Sequence, residues 1–276
     1  MSEESGVPSP GDRGRKLDSI APSMSSSEPR RIDLQPAFVL HHRPYRDTSR
    51  ILELFTRDHG RISVFARGAR GGKNKSASLL SVLQPFNRLL VSWSGRGEAG
   101  QLTAAEFDGG FSVLAPDRLV NGYYLNELLL KLFARHDSHP GVFALYAATL
   151  ELLKASSDAV RPLRIFEKRL LEALGYGLAL ECEANGEPID PAVTYHYRLE
   201  HGALRADGIA TGGLIFTGAS LLALAREEID DPVRNADARR LLRAAMDRCL
   251  DGRELKTREV MLALRRSRPG EAGPAK

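Results

Sequence analysis

Between Pro36 and about Asp108 the apolar positions fall in short runs: Ala37–His42, Ser49–Thr56, Arg61–Arg67, Phe86–Ser94 and Gln101–Phe107. In the third run Ile62, Val64 and Ala66 alternate with Arg61, Ser63, Phe65 and Arg67, a period of two that predicts a strand with its bases on the outward face. Asp58-His59-Gly60 is turn chemistry and predicts a tight hairpin between the second and third runs. Gly68–Pro85 is long enough for a loop plus a short helix over Ser78–Leu83. Five strands with a helix after the third suit a small Greek-key barrel of the OB type. An SH3-like barrel has a similar strand count, and counting does not separate the two.

Past Asp108 the period becomes helical. Leu125, Leu128, Leu129, Leu132 and Phe133 make one apolar face. Val142, Leu145, Tyr146, Thr149 and Leu153 make a second after Pro140-Gly141, and Leu163, Phe166, Leu170, Leu171 and Leu174 a third between Pro162 and Gly175. In the Gly-rich stretch 186–213, Thr194–Leu199 and Ala203–Ala206 can pair across His201-Gly202. Leu241, Leu242, Ala245, Met246 and Cys249 mark another helix, and Leu255–Arg266 a last one. The fold class is therefore α+β in two domains: a five-stranded OB-type barrel over 36–110, then a mainly helical domain with a small β excursion over 111–268. Residues 1–35 are rich in Ser, Pro, Gly and charge and read as a disordered tail, as do 269–276. Met24 lies just before the first patterned segment, so either Met1 or Met24 is a candidate start.

Composition narrows the class. The 276 residues are 42% hydrophobic and 27% charged, ordinary for a soluble globular chain, and no window approaches the roughly 18 apolar residues of a membrane helix. Two cysteines 67 residues apart, Cys182 and Cys249, exclude a disulfide scaffold and an all-thiolate zinc site. With no signal pattern at the amino terminus, the expected location is the cytoplasm, in association with the nucleoid. The net charge of +4 is unevenly spread: −1 over 1–35, +5 over 36–110, −3 over 111–200 and +3 over 201–276. Between Asp58 and Glu98 lie 39 residues with no acid and seven bases: Arg61, Arg67, Arg70, Lys73, Lys75, Arg88 and Arg96. Solvated surfaces normally mix signs, so an unbalanced strip points to a polyanion, nucleic acid first.

Catalytic groupings are missing. Gly68-Ala69-Arg70-Gly71-Gly72-Lys73 fails as a phosphate-binding loop because Arg67 and Asn74 stand where Gly and Ser or Thr are needed. His136 and His139 have a metal-like spacing, but Pro140 breaks a helix there and no further ligand is evident. His41-His42 reads as a strand end and Cys249 as core. Asp108, Asp117 and Glu127 are unpatterned, against a metal-dependent nuclease. No enzyme is expected.

In an OB barrel the ligand crosses strands two and three, held by the loops joining strands one–two and four–five. Those loops here carry Arg43, Tyr45 and Arg46, and Arg96. Tyr45 offers a stacking face; Phe65 and Trp93 are further candidates for which core packing is the better reading. Arg70, Lys73 and Lys75 follow on a glycine-rich tether, and about six phosphate contacts would give a log–log salt slope near −4 on single strands. Sequence-indifferent binding is the expectation. An OB-type RNA-binding factor without annealing activity is the alternative. A second basic cluster near the end includes Lys256 and Arg258, which count as further candidate DNA contacts. Arg161, Arg164 and Lys168 recur at i, i+3, i+7 on the third helix; solvation is the plain reading, and a docking groove for an acidic peptide ending in an aromatic residue the sharper one.

The run AFVLHHRPYRDTSRILELFTRDHGRISVFARGAR resembles the opening of the bacterial recombination mediator family RecO. LQPFNRLLVSWSGRGE, YYLNELLLKL, FEKRLLEALGYG, GEPIDPAVTYHYR and LKTRE are similar to later blocks of the same family, in order over about Pro36 to Glu259. The resemblance implies an N-terminal OB fold, a helical C-terminal domain and a non-enzymatic role in gap repair and homologous recombination. It further implies binding of single- and double-stranded DNA, annealing of complementary strands, docking of the acidic tail of single-strand-binding protein (SSB), and RecA loading together with RecR. On this chain Arg67, Arg70, Lys73 and Lys75 would be DNA contacts, and Arg164 and Lys168 candidates for the acidic tail. Lys256 and Arg258 match a basic element without a fixed role. Many relatives carry a four-cysteine zinc module after the GYG segment; only Cys182 remains here, so the resemblance implies the metal-free branch and no cofactor.

Overall fold

The computed structural model describes residues 31–47, 49–67, 79, 81–95, 99–109, 113–156, 158–206 and 213–266. Strands β1 (Arg31–Tyr45), β2 (Ser49–Thr56), β3 (Gly60–Ala66), β4 (Arg88–Ser94) and β5 (Ala99–Phe107) close a barrel in the order β1-β2-β3-β5-β4, with β3 and β5 parallel and the other pairs antiparallel. This Greek-key arrangement is the OB barrel. The inward positions, among them Val39, Leu52, Leu54, Ile62, Val64, Leu89 and Val91, fill its interior. Thr56 Oγ1 donates to the Gly60 carbonyl at 2.7 Å and fixes the predicted hairpin. Gly60 sits at φ +62°, and a Cβ there would lie 2.0 Å from the Asp137 carbonyl oxygen, so the turn is pressed against the chain that follows the first helix.

β1 begins at Arg31, so residues 31–35 belong to the barrel rather than to a tail. Arg31-Ile32-Asp33-Leu34-Gln35 does alternate polar with apolar residues, but too briefly next to the polar tail to be read as a strand; pairing shows it. Arg31 stands opposite Ser94 and Ile32 opposite Trp93. The register slips between Ile32 and Gln35, and there the Leu34 amide donates to Ser92 Oγ at 3.0 Å. Leu79, Ser81 and Val82 are helical, within the short helix expected before β4.

Helices α1 (Leu119–Leu132), α2 (Pro140–Ala155), α3 (Val160–Ala173), α4 (Gly218–Ala225), α5 (Pro232–Leu250) and α6 (Lys256–Arg266) follow, with a small sheet of β6 (Thr194–Arg198), β7 (Gly202–Arg205) and β8 (Ile215–Thr217) in the order β7-β6-β8. α3 stops where Gly175, at φ +81°, lets the Tyr176 amide reach back to the Leu171 carbonyl at 2.8 Å. α5 starts at Pro232, with Asp231 accepting from the Val233 and Arg234 amides at 2.9 Å each. The eight residues of α4 are too few and too uniformly apolar to show a period, and the helix was not expected from the sequence.

One core spans both halves. Phe38, Leu40 and Phe55 on the barrel's outer wall pack with Leu125, Leu128, Phe133, Phe143 and Tyr146 of the helices. Inside this contact Asn126 Nδ2 donates to the Leu40 carbonyl at 2.9 Å, and the fully buried Tyr146 hydroxyl donates to Asn126 Oδ1 at 2.5 Å. Arg61 was expected on a solvated face. It lies under the helices instead, donating to the Leu130 carbonyl; burial lowers its pKa. Arg135 reaches Glu53 at 2.5 Å. The helical half therefore covers the outer face of β2 and β3 from Glu53 onward, and β3 faces solvent only towards its far end.

Candidate nucleic-acid interface

Register brings the open end together. Arg43 pairs with Ile51, and Ile51 with Phe65; one step on, Pro44 pairs with Arg50, and Arg50 with Ala66. Tyr45 closes β1, Arg46 starts the turn and Arg67 follows β3, so Arg43, Arg46 and Arg67 gather on the outer face by Tyr45 and Phe65, and Arg50, on the opposite parity, makes a fourth arginine at the same end. Arg43, Arg46 and Arg67 are exposed, and none of the four has an ion-pair partner among the described residues. Exposed Asp47 is the acid of this turn. Burial first, then the neighbouring Arg50 and His41, push the His42 imidazole below its ordinary pKa. Arg50 was missed by the sequence reading. Its inward parity at the barrel mouth leaves it half-buried, and its Nη1 is buried without a hydrogen-bond partner.

Other expected contacts lie elsewhere. Arg88 pairs with Asp108 at 2.7 Å across β4 and β5, so its charge is compensated. Trp93 packs on the barrel core and meets His59 edge-on at 5.4 Å. Arg70, Lys73, Lys75 and Arg96 fall outside the described residues.

The basic face of α3 is divided. Arg161 contacts the Glu227 carbonyl and Asp230, and Lys168 contacts Glu172 at 3.1 Å and Glu227 at 3.5 Å. Arg169 clamps Glu227 with two 2.8 Å bonds. Glu172 lies one turn along α3 itself, but Glu227 and Asp230 come from the segment between α4 and α5, some sixty residues downstream, which is why helix periodicity alone overstated the free charge. Of the three expected tail contacts Arg164 alone lines a cleft, of about 1000 Å³, between α1, α3, α5 and α6. Arg118, Arg239, Arg243 and Arg258 line it too, with Asp117, Glu167, Asp230 and Asp231. At its floor Glu167 accepts from the Tyr124 hydroxyl at 2.6 Å and pairs with Arg164 at 2.8 Å; burial and that carboxylate hold the phenol protonated. Arg164 Nε is buried without a partner. Arg258 pairs with Asp247. Arg258 thus shares a cleft with Arg164, whereas Lys256 stands on the edge of a second, mainly apolar cleft of about 520 Å³ beside β1.

Two family models cover almost all of this architecture: "Recombination protein O N terminal" matches residues 33–111 and "Recombination protein O C terminal" matches 114–259. The chain belongs to the RecO family. Among RecO relatives, the DNA repair protein RecO of Dechloromonas aromatica (strain RCB) is 43% identical over 237 residues, which are 85% of this chain and 97% of that protein. That of Alkalilimnicola ehrlichii is 45% identical over 247 residues, 89% of this chain and 96% of the relative. That of Methylococcus capsulatus is 46% identical over 234 residues, 84% and 94% respectively. The described residues contain no cluster of three or more metal-ligating side chains. Next to exposed Cys182 stands a polar knot, in which buried Glu183 accepts from the Tyr195 hydroxyl and from Arg205, both at 2.9 Å. No helix among the described residues is long and apolar enough to cross a membrane.

Proposed function

We propose that this chain is a non-catalytic DNA repair and recombination mediator that works without a metal or other cofactor. Its barrel end holds single- and double-stranded DNA through phosphates, without sequence preference, and its helical half docks the acidic tail of SSB. Annealing of complementary strands and, with RecR, loading of RecA onto SSB-coated DNA complete the reading. The observation that carries it is the group of four arginines at the barrel end, none of them in an ion pair among the described residues, on a chain of the RecO family. Phosphate contacts supply affinity indifferent to base identity, which suits a protein that must act on any gap.

The test is annealing of SSB-coated complementary oligonucleotides by the full chain and by the triple variant Arg43→Glu, Arg46→Glu, Arg67→Glu. These side chains are exposed and cover no core, so the melting temperature stays within the small range of surface substitutions. Removing three phosphate contacts lowers the magnitude of the single-strand salt slope by about 2 and abolishes annealing. A variant that anneals at the wild-type rate with an unchanged slope refutes the assignment.

A further inference from the structure

We propose that Tyr45 and Phe65 form a stacking step for one unpaired base, and that this step makes the barrel end favour single strands over duplex. The inference rests on the reading of that end as a nucleic-acid interface. The two ring centroids lie 5.2 Å apart with planes 51° from parallel, and the Arg46 guanidinium lies over the Tyr45 ring at 5.2 Å. Both rings are half-buried, yet neither belongs to the barrel core or to the core shared with the helices. That sets Phe65 apart from the other described phenylalanines: Phe107 packs on the barrel core, and Phe38, Phe55, Phe86, Phe133, Phe143, Phe166 and Phe216 are all buried. Trp93, the other aromatic candidate, packs on the barrel core.

The surroundings fit a nucleotide. Ile51, next to Phe65 in the register, forms an apolar floor. Arg43 borders it on β1, and Arg67 follows two residues after Phe65 on the same outward parity. A strand laid across the end would meet cations on both sides of an apolar step. Arg46 already occupies the Tyr45 face as a flat cation; an incoming base replaces it there, and the arginine then meets the adjacent phosphate. A duplex offers phosphates and base edges to such a surface but no base face, so stacking contributes only when a base is unpaired.

The experiment compares binding of the full chain to a thymidine 30-mer and to an abasic deoxyribose-phosphate strand of equal length, by fluorescence anisotropy at one ionic strength. The wild-type chain binds the thymidine strand roughly tenfold more tightly, the effect of about one stacked base. In Tyr45→Leu with Phe65→Leu the ratio of the two affinities falls towards one, while Trp93→Phe preserves it. Should the double variant lose its cooperative melt, Tyr45→Leu is read alone, since Tyr45 lies outside both cores. A wild-type ratio near one, or a ratio that survives the substitutions, overturns the stacking step and leaves the interface standing. Failure of the wild-type chain to bind either strand overturns the interface reading and the step with it.

Discussion

Asn126 is the residue whose replacement tests the junction between barrel and helices most directly. It is almost fully buried, and its amide satisfies two buried groups: the Leu40 carbonyl of β1 and the Tyr146 hydroxyl of α2. Asn126→Leu keeps the volume but leaves both unpaired in an apolar setting. An orphaned buried group costs about 1–3 kcal/mol, so the expected loss is about 2–5 kcal/mol after the gain from the added apolar surface. At about 2–4 °C per kcal/mol for a chain of this size, the melting point falls by roughly 5–15 °C. Tyr146→Phe alone strands only Asn126 Oδ1 and costs about 1–2 kcal/mol. In the double variant the tyrosine no longer needs a partner, so its cost falls short of the sum by about 1 kcal/mol or more. Urea unfolding followed by Trp93 fluorescence, which reports the barrel, and by far-ultraviolet circular dichroism, which reports the helices, gives both quantities. A single-variant loss below about 0.5 kcal/mol, or additive costs, refutes the argument; so do separate barrel and helix transitions in the wild-type chain.

Two further outcomes follow from the electrostatics. Arg164→Glu reverses a charge inside the 1000 Å³ cleft, whereas Arg161→Glu alters a residue already held by the α4–α5 segment. Titration with an acidic peptide carrying the SSB tail therefore shows at least a tenfold loss for the first and under twofold for the second; equal losses move the docking site. For His42 the folded pKa lies below the unfolded one, so the folded chain favours the neutral ring. The associated stability is fully present above the unfolded pKa of about 6.5 and is lost as pH falls below it towards the folded value. His42→Gln removes this sag, and stability curves of the two proteins between pH 7 and pH 5 that stay parallel contradict the assignment.

Much of this was legible in the residues. β2 runs from Ser49 to Thr56, the bounds of its apolar run, and the apolar stripes of α1, α2, α3 and α5 face a core, whereas Val260, Leu262 and Leu264 of α6 stay exposed. What escaped is what pattern cannot carry. Arg61 has the parity of an outward strand residue, but which outward face stays wet depends on packing with a helix some seventy residues away. The bases of α3 looked free because Glu227 and Asp230 lie far along the chain. Arg164 and Arg258 were assigned to different partners; α1, α3, α5 and α6 must assemble before the two can line one cleft. The Tyr45–Phe65 contact needs the β1–β2–β3 register, which period-two alternation does not specify.

The shared core between barrel and helices also limits how this protein can be rebuilt. Cutting the chain after β5 would lay bare Phe38, Leu40 and Phe55 and strip the Arg61 guanidinium of its carbonyl acceptor, leaving a sticky wall on the excised half. Grafting a barrel from one relative onto the helices of another would succeed only if the α1 and α2 surfaces travelled with it. The OB portion is a wall of a larger house and not a portable module.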